Sequence, residues 1–318
     1  MSIVYRPFRN NDVPALVRVW NGACTGRGAA LIPGPNHWER YIGSRVYFDP
    51  QGLILAESQG QVVGFVHAGF APAERFGTLD TQRGVLCALV VDPAWRRQGI
   101  GSGLLLQAET YLQQRGARTV CAGCIRPESP FYWGLHGGSE PAGVLDSDSF
   151  LAAFLVRRGY EVQDTVLVYE KRIEQPGPRD ARTLTLAKQY RLEVTIADST
   201  GQWFEEQIRA PMDVFQALLV SVQRGEAVAG LCFWEMDLYA LRSHTPQVGL
   251  FDVWVREAYR HQGLGKLLLV EVLRYLHEQF YALAEVHVAA DNTAGLALAQ
   301  GLGFAKVERG RRFLKRLA

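Results

Sequence analysis

One pattern, present twice, limits what this chain can fold into. Cys87 to Val91 reads as a strand, Asp92-Pro93 turns the chain, and Arg96-Arg97-Gln98-Gly99-Ile100-Gly101 makes a glycine loop. Leu104, Leu105, Ala108 and Leu112 then recur at helical spacing. The second copy runs Val253-Trp254-Val255, Arg260-His261-Gln262-Gly263-Leu264-Gly265 and Lys266-Leu267-Leu268-Leu269, in register with the first from Val91/Val255 to Tyr111/Tyr275. Glycines without a Cβ let the chain turn sharply and aim successive N–H groups at an anion, at the positive end of the helix dipole. One such loop is no more than a turn; two in register predict a duplicated domain.

These loops carry a resemblance. Arg96 to Gly101 and Arg260 to Gly265 resemble the Arg/Gln-x-x-Gly-x-Gly/Ala signature of the GCN5-related N-acetyltransferase (GNAT) family. Val91-Asp92-Pro93 is similar to that family as well, whereas the second copy has Arg256-Glu257 in its place. The resemblance covers almost the whole chain. It implies an α/β (α+β) fold of two GNAT-like domains, each a mixed, mostly antiparallel sheet with one splayed parallel strand pair, flanked by helices. It also implies acetyl-CoA as co-substrate and no metal. The residues expected to hold the donor are Leu89, Val91, Arg96, Arg97, Gln98, Gly99, Ile100, Gly101 and Ser102 in the first copy. In the second they are Val253, Val255, Arg260, His261, Gln262, Gly263, Leu264, Gly265, Lys266 and Asn292. The implied activity moves an acetyl group from acetyl-CoA to a primary amine of a small-molecule acceptor. The alternative is a non-catalytic acyl-CoA-binding or interaction protein in which one or both domains have lost turnover.

A length of 318 residues fits two domains, and 48% hydrophobic residues supply two ordinary cores. With 34 basic and 32 acidic residues the net charge is +2, which argues against nucleic acid or an anionic membrane as partner. No run approaches the roughly 20 apolar residues of a membrane helix, and MSIVYRPFRNND lacks the apolar segment of a secretion signal, so a cytoplasmic location is expected. Five cysteines, an odd number in a long chain, agree with a reducing compartment. Cys121 and Cys124 form a lone CxxC inside an expected strand, read as buried packing rather than zinc or redox chemistry.

The expected organisation is a first domain over 1–174, a linker over 175–185 marked by Glu174-Gln175-Pro176-Gly177-Pro178-Arg179, and a second domain over 186–318. Val166 to Arg172 is expected to complete the first sheet and Arg312 to Lys315 the second, while Met212 to Leu219 reads as a helix. The offset between the copies falls from 164 residues at Gly101/Gly265 to 144 at Gly159/Gly303. The first copy therefore carries about twenty additional residues, within 126–148, rich in Pro, Gly and Ser but bearing Phe131, Tyr132, Trp133 and His136. Those aromatics argue against disorder.

Acetyl transfer from a thioester to an amine needs a docked donor, a deprotonated amine, support for the carbonyl oxygen and a proton for the departing thiolate. Backbone N–H groups of Cys87 to Val91 or Asp252 to Val255 would support the oxygen, as the resemblance implies. Many family members place a proton-donating tyrosine on the last helix, but the matching positions hold Leu155 and Ala299. Asp252 is the candidate base in the second domain, and His287 a weaker one, better read as packed or surface. Tyr132, His136 and Glu140 gather in the insertion. A Rossmann site lacks its third glycine at the required offset, and a P-loop lacks its Gly-Lys-Ser/Thr. With Asn292, Asp252 and Gly301-Leu302-Gly303-Phe304, the second domain has the fuller signature. Catalysis is expected there, with the first domain binding CoA and assisting recognition.

Overall fold

A computed structural model of the chain describes residues 2–175 and 179–317; the centre of the expected linker, Pro176 to Pro178, lies outside them. In chain order the elements of the first half are β1 (Val4–Pro7), α1 (Val13–Ala23), α2 (Pro35–Trp38), β2 (Leu53–Ser58), β3 (Gln61–Pro72), β4 (Leu79–Val91), α3 (Ile100–Gln114), β5 (Thr119–Ala122), β6 (Val144–Leu145), α4 (Ser149–Val156) and β7 (Glu161–Arg172). The second half contributes α5 (Ala181–Leu186), β8 (Tyr190–Ile196), α6 (Trp203–Arg209), β9 (Val214–Ser221), β10 (Ala227–Glu235), α7 (Asp237–Ser243), β11 (Gln247–Val255), α8 (Leu264–Glu278), β12 (Leu283–Ala289), α9 (Thr293–Gly301) and β13 (Ala305–Arg316).

The chain forms two compact units, each assembled from more than one segment. Unit 1 takes residues up to 165 together with 200–211 and the stretch from 309 onward; unit 2 takes 166–199 and 212–308. The sheet of unit 1 runs β1-β2-β3-β4-β5-β13 and that of unit 2 runs β7-β12-β11-β10-β9-β8. In each, one pair is parallel, β4 with β5 and β11 with β12, because a helical crossover joins the partners. The expected mixed sheet with a parallel pair is present in both.

The closing strands differ from the sequence expectation. Val166 to Arg172 does not complete the first sheet: it pairs antiparallel with β12, Val168 opposite His287. The final strand pairs instead with β5, Phe313 opposite Ala122. Both closing strands follow equivalent helices, so sequence proximity was the only guide to their partners, and proximity fails for about a third of strands. Met212 to Leu219 is not a helix either. It lies mostly in β9, and the helix is α6, at 203–209, which belongs to unit 1. A short apolar run such as Val214-Phe215-Gln216-Ala217-Leu218-Leu219 fits either period, and its β-branched and aromatic residues favour the strand.

In unit 1, α1 and α3 pack against β3, which is buried from Val62 to Pro72. Leu104, Leu105, Ala108 and Leu112 of α3 join Val66, Leu86, Val120 and Phe313 in one core. In unit 2 Leu264, Leu267, Leu268, Val272 and Leu276 of α8 are buried on Leu219, Leu231, Leu250 and Val286. Phe313 is fully buried in unit 1. Phe313→Ala is therefore expected to cost about 3–5 kcal/mol, felt in unit 1: amide exchange of β4 and β5 should rise while α8 stays protected. Loss of protection in α8 instead would contradict the strand assignment.

Candidate active site

The two glycine loops have the same construction. After β4 the chain makes a tight turn in which Asp92 accepts from the Ala94 N–H; the Arg96 Nε–H then donates to the Val91 carbonyl at 3.1 Å and the Gln98 amide to the Ala94 carbonyl at 3.5 Å. In the second copy Arg260 donates to Val255 at 3.2 Å and Gln262 to Ala258 at 3.0 Å. The signature's Arg and Gln thus fasten the loop to the strand end. Arg97 and His261 are left-handed (φ 64° and 62°), as are Gly99 and Gly263 (83° and 90°), and α3 and α8 begin one residue later. A glycine is needed at the last of these because the helix-opening turn demands positive φ.

Their surroundings differ. A Cβ on Gly99 would meet nothing within 4 Å, so the loop faces open space. A Cβ on Gly263 would meet the Arg182 side chain at 3.1 Å and Leu186 at 3.4 Å, both on α5. Lys266, expected to hold the donor, donates to Asp180 at 2.7 Å. That bond, with the Thr183 N–H at 2.7 Å, holds the Asp180 carboxyl well below the usual carboxylate range. Arg179 closes the arrangement with a two-pronged ion pair to Glu271 of α8. The stretch expected to be linker therefore contains a helix laid over the second loop. In the first copy Ser102 accepts from Arg158, a surface cation that stacks over Phe154 and was missed in the sequence.

The β4–β5 ladder ends at Leu86 opposite Ala122. Beyond it β4 keeps pairing with β3 alone, with a register shift at Cys87 between Leu86/Ala68 and Ala88/His67. β5 turns away at Gly123 (φ 64°), where a Cβ would lie 2.5 Å from the Val144 N atom. The gap holds a cavity of about 110 Å³. The backbone of β4 from Val85 to Val90 forms one wall, Leu151 and Leu155 of α4 another, and Phe131, Tyr132 and His136 of the insertion a third, with Trp20 and Cys24 from α1 and its end. Leu89 borders the cavity; Val91 instead packs toward Gly101. The insertion is buried from Pro130 to Leu135 rather than decorating the surface. Glu140 pairs with Arg126 at 3.0 Å and stands apart from the cavity lining.

Tyr132 stacks on Trp20 (5.4 Å between centroids, 10° between planes), and its hydroxyl lies 3.3 Å from Nδ1 of His67. His67 was not singled out in the sequence, although the β3–β4 register places it opposite Ala88. Burial depresses its pKa from 6.5 to about 3 and lowers that of His136 too, so both imidazoles are neutral near pH 7. Burial pushes the Tyr132 phenol and the Cys87 thiol up, so both keep their protons.

In unit 2 the β11–β12 ladder ends at Leu250 opposite Val286. Asp252 sits in the bulge that follows, left-handed (φ 51°) and half-buried, and Val253 is exposed. His287 is packed, as the sequence suggested, with Nε2 3.0 Å from Glu285, a partner the sequence did not reveal. Asn292 caps α9 by accepting from the Gly295 N–H at 2.9 Å, and Asp148 caps α4 in the same way through Leu151. Leu155 and Ala299 are both buried. Cys121 and Cys124 lie in a small apolar cluster with Ala71 and Val85, as expected, but are joined in a disulfide. Glu128, whose carboxylate comes near both sulfurs, is engaged by Arg83 and Arg312.

A repeated strand, phosphate-type loop and helix, each beside a parallel pair that parts, defines a tandem acyl-transfer fold. The model of the GNAT acetyltransferase family matches residues 19–131 and again 187–304, so the chain belongs to that family and is an acetyl-transferring enzyme. It is 27% identical over 168 residues to an acetyltransferase of Sodalis glossinidius, covering 53% of this chain and 94% of that one. It is 26% identical over 238 residues to a mycothiol acetyltransferase of Renibacterium salmoninarum, covering 69% of this chain and 63% of that one. Among solved structures, a tandem GNAT protein from the clavulanic acid biosynthesis pathway superposes with a TM-score of 0.71 at 17% identity, over 99% of this chain and 98% of that one. Among the described residues no helix is long and apolar enough to cross a membrane.

The buried neutral His67 makes stability depend on pH with a definite sign. The unfolded chain takes up a proton near pH 6.5 that the folded chain refuses until about pH 3, so stability falls as pH drops through that window. In urea titrations over this range, His67→Phe is expected to remove about one proton's worth of slope relative to the parent. An unchanged slope would contradict the burial of a neutral imidazole.

Proposed function

We propose that the chain moves an acetyl group from acetyl-CoA to a primary amine of a small molecule, and that the transfer takes place in unit 1. The observation that carries this reading is the combination, along one strand, of an open anion loop at Gly99 and a buried cavity where β4 parts from β5. Gln98 to Gly101 would hold the pyrophosphate through backbone N–H groups at the start of α3, with Arg158 adding positive charge nearby. The parted edge of β4 offers unpaired backbone groups to the pantetheine arm, and the bulge at Cys87 re-aims one N–H toward the thioester carbonyl oxygen.

Within that frame the acceptor nitrogen attacks the acetyl carbon, the C–N bond forms and the C–S bond breaks. His136 is neutral and borders the cavity, which makes it the side chain best suited to accept the amine's proton there. Trp20, Phe131 and Tyr132 close the apolar walls and keep bulk water out. A cavity of about 110 Å³ favours a small acceptor over a peptide.

Unit 2 supports the non-catalytic reading for its own copy. Its loop carries α5, and its lysine is paired with Asp180. This reverses the division of labour expected from the sequence, in which Asp252 served as base; here Asp252 is the bulge residue of a unit that supports the fold.

The test is a panel of amines, including amino sugars, polyamines and aminoglycosides, incubated with acetyl-CoA and followed by mass spectrometry. A branched side chain is strained at both positions (φ 83° and 90°); one acetylated product is expected, with turnover lost in Gly99→Val, whose strain falls on the proposed donor loop, and retained in Gly263→Val. The opposite pattern would return catalysis to unit 2.

A further inference from the structure

We propose that Tyr132, on the inserted segment, gives its proton to the departing thiolate in unit 1, and that His67 behind it is a positioning residue that sets the phenol for this step. The inference rests on the transferase reading above and adds the proton donor that the last helix lacks. Leu155 fills the position where a donor would be sought, and its alkyl side chain lines the cavity. Tyr132 lines the same cavity from the insertion.

The phenol is held on every side. Its ring stacks on Trp20, and its backbone is left-handed at φ 69°, a conformation that strains a bulky side chain and persists only when the surroundings enforce it. Phe131, the preceding residue, lies against the other side of His67 with centroids 4.3 Å apart. Nδ1 of His67 meets the Tyr132 hydroxyl, while its Nε2 has no hydrogen-bond partner among the described residues. Placing the imidazole hydrogen on Nδ1 leaves only a lone pair unmatched at Nε2, whereas the other tautomer would bury a bare N–H. In the Nδ1–H form His67 donates to the phenol oxygen, which leaves the phenol's own hydrogen free to point into the cavity. That same bond steadies the phenolate once the proton has gone.

The proton balance follows. The C–N bond forms and the C–S bond breaks with its electron pair on sulfur; the Tyr132 proton passes to that sulfur and yields the free thiol. The proton released by the acceptor nitrogen passes to His136, and both side chains return to their starting protonation by exchange with solvent once the products leave. Burial keeps the phenol protonated until it is needed. It acts on a thiolate in the same cavity as well, as the raised pKa of the neighbouring Cys87 thiol illustrates, so the departing sulfur is a stronger base here than in water.

The experiment measures thiol release by the full-length chain from two donors: acetyl-CoA, and the acetyl thioester of an acidic aromatic thiol that leaves without a proton. Water, or an amine from the panel, serves as acceptor. With acetyl-CoA, Tyr132→Phe is expected to lower kcat about 100-fold at unchanged calorimetric affinity for CoA, which also reports that the fold is intact. With the acidic donor the loss should nearly vanish, an outcome that a merely structural role would not give. His67→Leu should lower kcat with acetyl-CoA and add nothing further in the Tyr132→Phe background, while His67→Gln, which keeps a donor, should recover part of the rate. Full activity in Tyr132→Phe, or equal losses with both donors, would overturn the assignment. A parent protein that releases no thiol from either donor would overturn the transferase reading itself, and this role with it.

Discussion

The donor site proposed for unit 1 depends on a ladder that stops. β4 and β5 are hydrogen-bonded only as far as Leu86 and Ala122, and each backbone group left unpaired beyond that point costs on the order of 1–3 kcal/mol if nothing replaces its partner. The fold keeps the gap open by local means. The bulge at Cys87 bends β4, Gly123 turns β5 aside, and Val144 stands where β5 would otherwise continue. The far edge of β5 is held by β13, so β5 cannot drift back to close the gap. An edge of unpaired N–H and C=O groups facing a cavity is a binding surface for a chain-like ligand that brings amides of its own.

The two copies show how one loop geometry acquires different fates. Arg96 and Arg260 make the same anchor to Val91 and Val255, and Gly99 and Gly263 open their helices at similar φ. What separates them lies outside the motif. In unit 2 α5 precedes β8, and its N-cap Asp180 takes up Lys266 near the positive end of α8. In unit 1 the corresponding space is open, and Arg158 adds a cation beside Ser102. A negative side chain beside a helix N-terminus uses the same electrostatics that would otherwise favour a phosphate, so retention of the signature does not by itself mean retention of the site.

The motif and its duplication were legible because they are local: strand, glycine turn and helix follow one another within about thirty residues, and each has its own period. The parallel pairs followed from the helical crossovers. Less was legible wherever partners are distant in the chain. Val166 to Arg172 and the last strand each follow an equivalent helix, and only tertiary pairing shows that they serve β12 and β5 respectively. His67 lies far from Tyr132 in sequence, and a single histidine in an apolar strand carries no signal until the insertion folds over it. The length of the insertion was measurable from the two offsets, but its burial was not, because Pro, Gly and Ser describe a surface loop as well as a packed one. The covering of the second loop by α5 was hidden in a Pro/Gly stretch that reads as linker.

We propose that the donor occupies the parted strands of unit 1 and not the loop of unit 2. Amide hydrogen exchange of the intact chain with and without acetyl-CoA tests it most directly. New protection is expected at 87–90 and 98–101 with 262–265 unchanged; protection confined to 262–265 would overturn the assignment to unit 1.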